Sequence, residues 1–263
     1  IENGEVVVIS GENIESIRPF PEIKKRPCIF EYIYFARPDS ILGGECAYEY
    51  RKRLGEELAK ESSVDADIVV PVPDSGVPAA IGYSQSSNIK FELGLIRNHY
   101  VGRTFIEPSQ SIRSLGVKLK LSSTKTIVKN KSIILIDDSL VRGTTCHKII
   151  KMLYEAGASE VHVRIACPEI KYPDFYGVDM PTKEELLAHN KSIQEMSEHI
   201  KAKSLRFLSL NGLYKALVGE HRNLNYPQFS DHYFTGDYPI KPSDNLKGFK
   251  VKQLSLLSGK SNS

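Results

Sequence analysis

Between residues 45 and 166 the apolar positions follow two rhythms in turn. Over 45–62, Cys46, Tyr50, Leu54 and Leu58 recur every fourth residue with charge on the other side, which predicts an amphipathic helix. Residues 67–71 form a short apolar run that predicts a strand. Residues 77–83, opened by Gly76 and Pro78, predict a helix, and 89–95 a further strand. The run 132–136 is apolar after its serine and predicts a buried strand. A helix over 145–156 carries Cys146, Ile149, Ile150 and Leu153 on one face, with Gly157 as its left-handed cap, and 161–166 reads as a strand. Strands alternating with helices predict an α/β fold: a central, mostly parallel sheet with helices on both faces.

The flanks are less regular. Residues 1–9 alternate weakly and end in VVVI between Gly4 and Gly11, predicting a strand with a hairpin turn. Pro19, Pro21 and Pro27, with the basic residues 24–26, read as a linker. CIFEYIYF, residues 28–35, is a β-rich run closed by 36–40. Thr182 is expected to cap a long polar helix, 183 to about 203, with Leu186, Leu187, Ile193, Met196 and Ile200 inward. Residues 205–210 read as a strand, and Asn211 as the cap of a short helix that Gly219 stops. The expected units are 1–26, 27–245 and a flexible tail, 246–263. Residues 98–121 lack any period, and an aperiodic stretch this long is usually functional or mobile.

Composition narrows the choice of function. The 263 residues are 41% hydrophobic and 25% charged, enough for one sizeable core with appendages. A net charge of +3, spread along the chain, gives no case for a nucleic-acid binder. No apolar run approaches a membrane span, and IENGEVVVIS is no signal peptide. The chain starts without Met and is expected to be a processed product or a piece of something longer. Cys28, Cys46, Cys146 and Cys167 form no CxxC pair and no zinc pattern; they are expected to be buried free thiols in a reducing, cytoplasmic setting. His99, His147 and His162 form no ligand cluster, with His147 expected on the exposed flank of its helix. No Ser/His/Asp arrangement is legible.

Three segments carry chemistry. In KSIILIDDSLVRGTT, residues 131–145, the buried strand ends in Asp137 and Asp138. Such acids sit at the carboxyl edge of a parallel sheet and point to opposite sides. Two vicinal ribose hydroxyls are natural partners for them. The following turn exposes N–H groups at a helix N-terminus, where a phosphate is favoured; Gly143 permits close approach, and Thr144 and Thr145 add hydroxyls. PVPDSG, residues 71–76, also joins a strand to a helix. Its Asp74-Ser75-Gly76 turn suits a second anion such as pyrophosphate, and Ser75 could ligate magnesium. Arg97, Arg103, Arg113, Lys118 and Lys120 make the third segment resemble a basic lid. Each segment alone also fits an ordinary strand–helix turn or a solvated loop.

IILIDDSLVRGTT resembles the phosphoribosylpyrophosphate (PRPP) motif of type I phosphoribosyltransferases. With CIFEYIYFARPDS (28–40), PVPDSGVPAA (71–80), YVGRTFIEPSQSIR (100–113) and GVKLKL (116–121), the chain resembles the glutamine phosphoribosylpyrophosphate amidotransferase family from about Ile1 to Pro239. The resemblance implies a type I phosphoribosyltransferase fold. It also implies transfer of phosphoribosyl from PRPP to ammonia, giving 5-phosphoribosylamine and pyrophosphate, the first step of de novo purine synthesis. Asp137 and Asp138 fall on the ribose- and magnesium-binding acids, Ser75 on the third magnesium residue, and Asp74 and Gly76 beside it in the pyrophosphate loop. Ser139, Val141, Arg142, Gly143, Thr144 and Thr145 fall in the 5-phosphate loop, and Arg103 in the loop that closes over PRPP as a third catalytic residue.

The resemblance further implies a homo-oligomer with purine nucleotides as inhibitors. It implies a glutaminase unit opening on a cysteine; Ile1 stands first here, EVVVIS reads as the tail of that unit, and only ammonia-dependent activity is expected. One branch of the family binds an iron–sulfur cluster through four cysteines. Those positions fall on Cys28, Asp174, Ser230 and Tyr233, so no cluster is expected. The rival readings are a salvage phosphoribosyltransferase, with 169–176 as its base-reading hood, and a non-catalytic PRPP-binding regulator or fragment.

Overall fold

The computed structural model describes residues 1–20, 24–98 and 121–240. An antiparallel hairpin, β1 (Val6–Ser10) and β2 (Asn13–Ile17), opens the chain; Gly11 turns it with φ +61°. A second small ribbon pairs β3 (Ile41–Leu42) with β4 (Glu45–Cys46) and leads into α1 (Ala47–Ser62). Then come β5 (Ile68–Pro71), α2 (Val77–Ser87), β6 (Lys90–Phe91), β7 (Leu95–Arg97), β8 (Leu121–Ser123) and α3 (Lys125–Val128). Next are β9 (Ser132–Asp137), α4 (Thr144–Glu155), β10 (Glu160–Ile165), α5 (Leu187–Asn190) and α6 (Ile193–Ile200). The described part closes with β11 (Ser204–Phe207), α7 (Leu210–Val218) and α8 (His232–Thr235).

The central sheet is parallel throughout, in the order β11-β10-β9-β5-β6. All side chains from Ile133 to Ile136 are buried, as are those of β5. Successive strand residues face opposite sides, so both faces of the sheet are covered, as the alternation of elements predicts. Helices α1, α2 and α7 pack as one group, and α4 and α6 as another. Among the described residues no helix is long and apolar enough to cross a membrane.

Several elements differ from the sequence reading. Residues 28–35 do not form a strand: Glu31–Phe35 is a helical turn. The buried guanidinium of Arg51 donates to the carbonyls of Tyr32 (3.1 Å), Glu31 (3.3 Å) and Ala36 (2.7 Å). With those carbonyls satisfied from α1, β-propensity is overridden. The run 89–95 is split because Gly94 N–H turns back to Glu92 O, and Leu95 then starts a separate pairing with β8.

The long helix expected over 183–203 is three short pieces. Lys191 is extended, and Ser192 with Glu195 forms a capping box that starts α6 afresh. Strand β11 stops at Phe207, and Ser209, not Asn211, caps α7 by accepting from Gly212 N–H at 2.9 Å. Cys146 and Cys167 are buried, but Cys28 and Cys46 are only half-buried. His147 is half-buried rather than exposed, with Nδ1 shut away from solvent. The tail from 246 and the aperiodic stretch from 99 to 120, with Arg103, Arg113, Lys118 and Lys120, lie outside the described residues.

Candidate active site at the carboxyl edge of the sheet

Parallel register brings the two strand–turn–helix motifs side by side. Pro71 of β5 stands opposite Ile136 of β9. Beyond the strand end, Val72 N–H donates to Ile136 O at 2.8 Å, and Gly76 N–H donates back to Val72 O at 2.9 Å. This folds 72–76 into a tight loop against the end of β9, with the Pro73–Asp74 peptide cis. The Ser75 hydroxyl acts to lower the Asp138 carboxyl, and Asp74 accepts from Arg97 Nη1 at 2.6 Å. The loop therefore faces the acid pair, with Arg97 at its rim.

Asp137 ends β9 and Asp138 follows it. Asp137 Oδ1 accepts from the Asp138 N–H at 2.9 Å and lines a cavity beneath residues 139–146. Asp138 is buried and accepts from Ser139 Oγ. Asp137 lines the cavity of the 139–146 turn, while Asp138 bonds Ser139. Burial, and then the neighbouring Asp138 carboxylate, push the Asp137 carboxyl well above its usual range. Burial also raises Asp138, against the opposing pull of the Ser139 and Ser75 hydroxyls and the Arg51 charge. The two adjacent acids thus disfavour each other's ionised form.

Gly143, with φ +76°, turns the chain into α4 and leaves the exposed Thr144 and Thr145 at the helix N-terminus. The cavity there measures about 220 Å³ and is lined by Asp137 and 139–146. Ser139, Val141, Arg142, Gly143, Thr144 and Thr145 therefore line one cavity. On the other side, the 74–76 turn packs against the end of β9, and its Ser75 hydroxyl acts to lower the Asp138 carboxyl.

Sequence reasoning missed the neighbours of this site. Arg51 arrives from α1, distant in sequence, and its charge acts on Asp138. Cys146 and Cys167 also adjoin the acids. Burial first, then Asp137 for Cys146 and both acids for Cys167, push these thiols up, so they stay protonated and uncharged.

A second cluster gathers the four positions matched to cluster ligands. Cys28 Sγ lies 3.3 Å from Tyr233 Oη, and Tyr233 helps to lower the Asp174 carboxyl. Asp174 accepts from the N–H groups of Tyr176 and Val178, both at 2.8 Å, and lies 2.8 Å from His232 Nε2. His232 Nδ1 lies 3.1 Å from Ser230 Oγ. Ser230, His232 and Asp174 thus have the connectivity of a hydrolytic triad that the sequence did not reveal. Ser230, His232 and the Asp174 side chain are all buried, so this one is structural. The 169–176 segment, expected as a hood, is tied into this cluster: Lys171 and Tyr172 N–H both donate to Tyr233 O. Among the described residues no three His, Cys, Asp or Glu side chains are grouped to hold a metal ion by themselves.

The comparisons agree with this geometry. Residues 49–198 match the phosphoribosyl transferase domain family. Amidophosphoribosyltransferase of Rhizobium etli is 53% identical over 264 residues, covering 98% of this chain and 53% of the relative. The chloroplastic amidophosphoribosyltransferase 1 of Arabidopsis thaliana is 49% identical, covering 92% of this chain and 42% of the relative. The solved glutamine PRPP amidotransferase from B. subtilis, complexed with ADP and GMP, superposes with a TM-score of 0.78 at 48% identity. That match covers 90% of this chain and 52% of the other. The chain spans about half the length of these relatives. It belongs to the phosphoribosyl transferase domain family, with the type I α/β fold, and resembles amidophosphoribosyltransferases over nearly all of its length.

Proposed function

We propose that this chain transfers the 5-phosphoribosyl group of PRPP to ammonia, releasing pyrophosphate, in the first step of purine synthesis. The observation that carries the proposal is the paired arrangement of Asp137 and Asp138 between two anion loops, 72–76 and 139–145. PRPP has the matching layout: a 5-phosphate, two vicinal hydroxyls and a pyrophosphate on C1.

In this reading the 139–145 turn holds the 5-phosphate through backbone N–H groups, the Thr144 and Thr145 hydroxyls and Arg142. Asp137 and Asp138 accept from the ribose hydroxyls and carry the charge that attracts a divalent cation. Ser75, Asp137 and Asp138 offer hard oxygen donors, a set that fits magnesium with most of its shell supplied by substrate and water. When bound, magnesium would neutralise charge developing on the leaving pyrophosphate. Asp74, Ser75 and Gly76 frame the pyrophosphate, with Arg97 beside them. Attack inverts C1 through an oxocarbenium-like transition state, as in glycoside cleavage. Ammonia is nucleophilic as it stands, so the reading requires no general base. Arg103 is assigned to the closing loop on the family resemblance.

Iron–sulfur ligation does not enter this reading: Asp174, Ser230 and Tyr233 offer no thiolate, and Cys28 already bonds Tyr233. Purine nucleotides are proposed as inhibitors, because a 5′-monophosphate can enter the same cradle; the ADP and GMP complex of the B. subtilis relative supports this. The resemblance supports a homo-oligomer working in the cytoplasm. Product analysis with ammonia, adenine, guanine, hypoxanthine and uracil as competing acceptors tests the proposal. Phosphoribosylamine should dominate; a nucleotide product would assign the chain to base salvage.

A further inference from the structure

Arg142 is the one basic side chain among the described residues lining the cavity at the start of α4. Its Nε donates to Glu185 Oε2 at 2.6 Å. Two residues on, Leu187 N–H donates to Val141 O at 2.9 Å. The Leu187 side chain fills the space beside Gly143, where an added Cβ would lie 2.8 Å from Leu187 Cδ2. One short stretch, 185–187, therefore meets Val141, Arg142 and Gly143 through an ion pair, a backbone hydrogen bond and a packing contact.

The backbone around Glu185 is tied down by hydrogen bonds. The Glu185 N–H donates to Thr182 O at 3.0 Å. Asn190 Nδ2 donates to the carbonyls of Lys183 (3.1 Å), Glu184 (3.0 Å) and Leu186 (2.9 Å), which fixes the turn on both sides of Glu185. Leu186 and Leu187 are buried beneath it.

We propose that Glu185 is a positioning residue for the sugar phosphate: by accepting from Nε it fixes the Arg142 guanidinium at the rim of the cradle and leaves both Nη groups to donate to the phosphate. This rests on the reading of 139–145 as the 5-phosphate loop. A guanidinium binds phosphate through paired N–H groups, and a long side chain that is already oriented loses less freedom on binding. An acid beside a phosphate also repels it. If Glu185 acted only as a nearby charge, removing it would tighten binding; if it positions Arg142, removing it weakens binding.

Calorimetric titration of the full chain with ribose 5-phosphate separates these. Glu185→Ala should weaken binding by about fivefold, the upper range for a half-exposed ion pair. Glu185→Gln, whose amide oxygen can still accept from Nε, should lie between it and the parent. Arg142→Gln should weaken binding at least as much, and adding Glu185→Ala to it should cost nothing further. In turnover, Glu185→Ala should raise KM for PRPP and keep kcat. Unchanged or tighter binding in Glu185→Ala, or additive losses in the double variant, would overturn the proposal while the cradle reading stands. A parent chain that binds no ribose 5-phosphate would overturn both.

Discussion

A Cβ placed on Gly76 would lie 2.6 Å from the carbonyl oxygen of Ile136, the residue before the acid pair. The same carbonyl accepts from Val72 N–H, so the 72–76 loop and the end of β9 share one hydrogen-bonding group. Gly76→Ala must push the loop off that strand end. The expected cost is about 1–3 kcal/mol of stability, in the range for overpacked sites, with a large loss of PRPP affinity. Urea unfolding and PRPP titration read the two effects separately.

Asp137→Asn should separate stability from activity. The Asp137 carboxyl titrates above its ordinary value, so its favourable contribution is present below the ordinary carboxylate range and is lost as pH rises through the raised value. In the folded chain the two adjacent carboxyls therefore oppose each other's ionisation. An amide at 137 removes one and can keep the bond from Asp138 N–H. Its unfolding temperature should exceed the parent's at neutral pH, and the gap should close in acid. Turnover with ammonia should fall by about 100-fold or more, as when one preorganised electrostatic group is removed. A variant that turns over like the parent would show that the acid pair is misassigned.

The Asp174–His232 cluster should make the fold acid-sensitive in the opposite sense. Burial lowers His232, only partly offset by the Asp174 carboxylate, so its stabilising effect fades as pH falls below its ordinary value of 6.5. Burial alone would raise Asp174, but the Val178 and Tyr176 N–H groups, His232 and Tyr233 outweigh it and leave the carboxyl lowered. Its contribution, present above the ordinary value of 3.8, is lost at still lower pH. His232→Gln, which can still offer an N–H to Asp174, should flatten the loss of urea resistance between about pH 7 and 5, around the ordinary histidine range. Equal slopes for variant and parent would assign the acid sensitivity to another group.

The parts of the site contiguous in sequence were legible there. Ser139 to Thr145 lie on one turn, and the apolar strand, the two acids and the Gly-Thr-Thr helix start follow one another without a break. The 28–35 run was misread because its hydrogen-bonding partner, Arg51, sits on another element; propensity cannot register a guanidinium that arrives from elsewhere. The break before α6 was within reach, since Ser192 and Glu195 have capping-box spacing, but the inward apolar spacing ran through it. Glu185 and Asp174 carry no local mark: each matters through a residue more than forty positions away.

The most direct test is pyrophosphate release from PRPP with ammonia as acceptor, with magnesium supplied or chelated. Release should require both ammonia and magnesium and should collapse in Asp137→Asn. Release that ignores ammonia, or survives Asp137→Asn undiminished, would contradict a phosphoribosyl transfer centred on this acid pair.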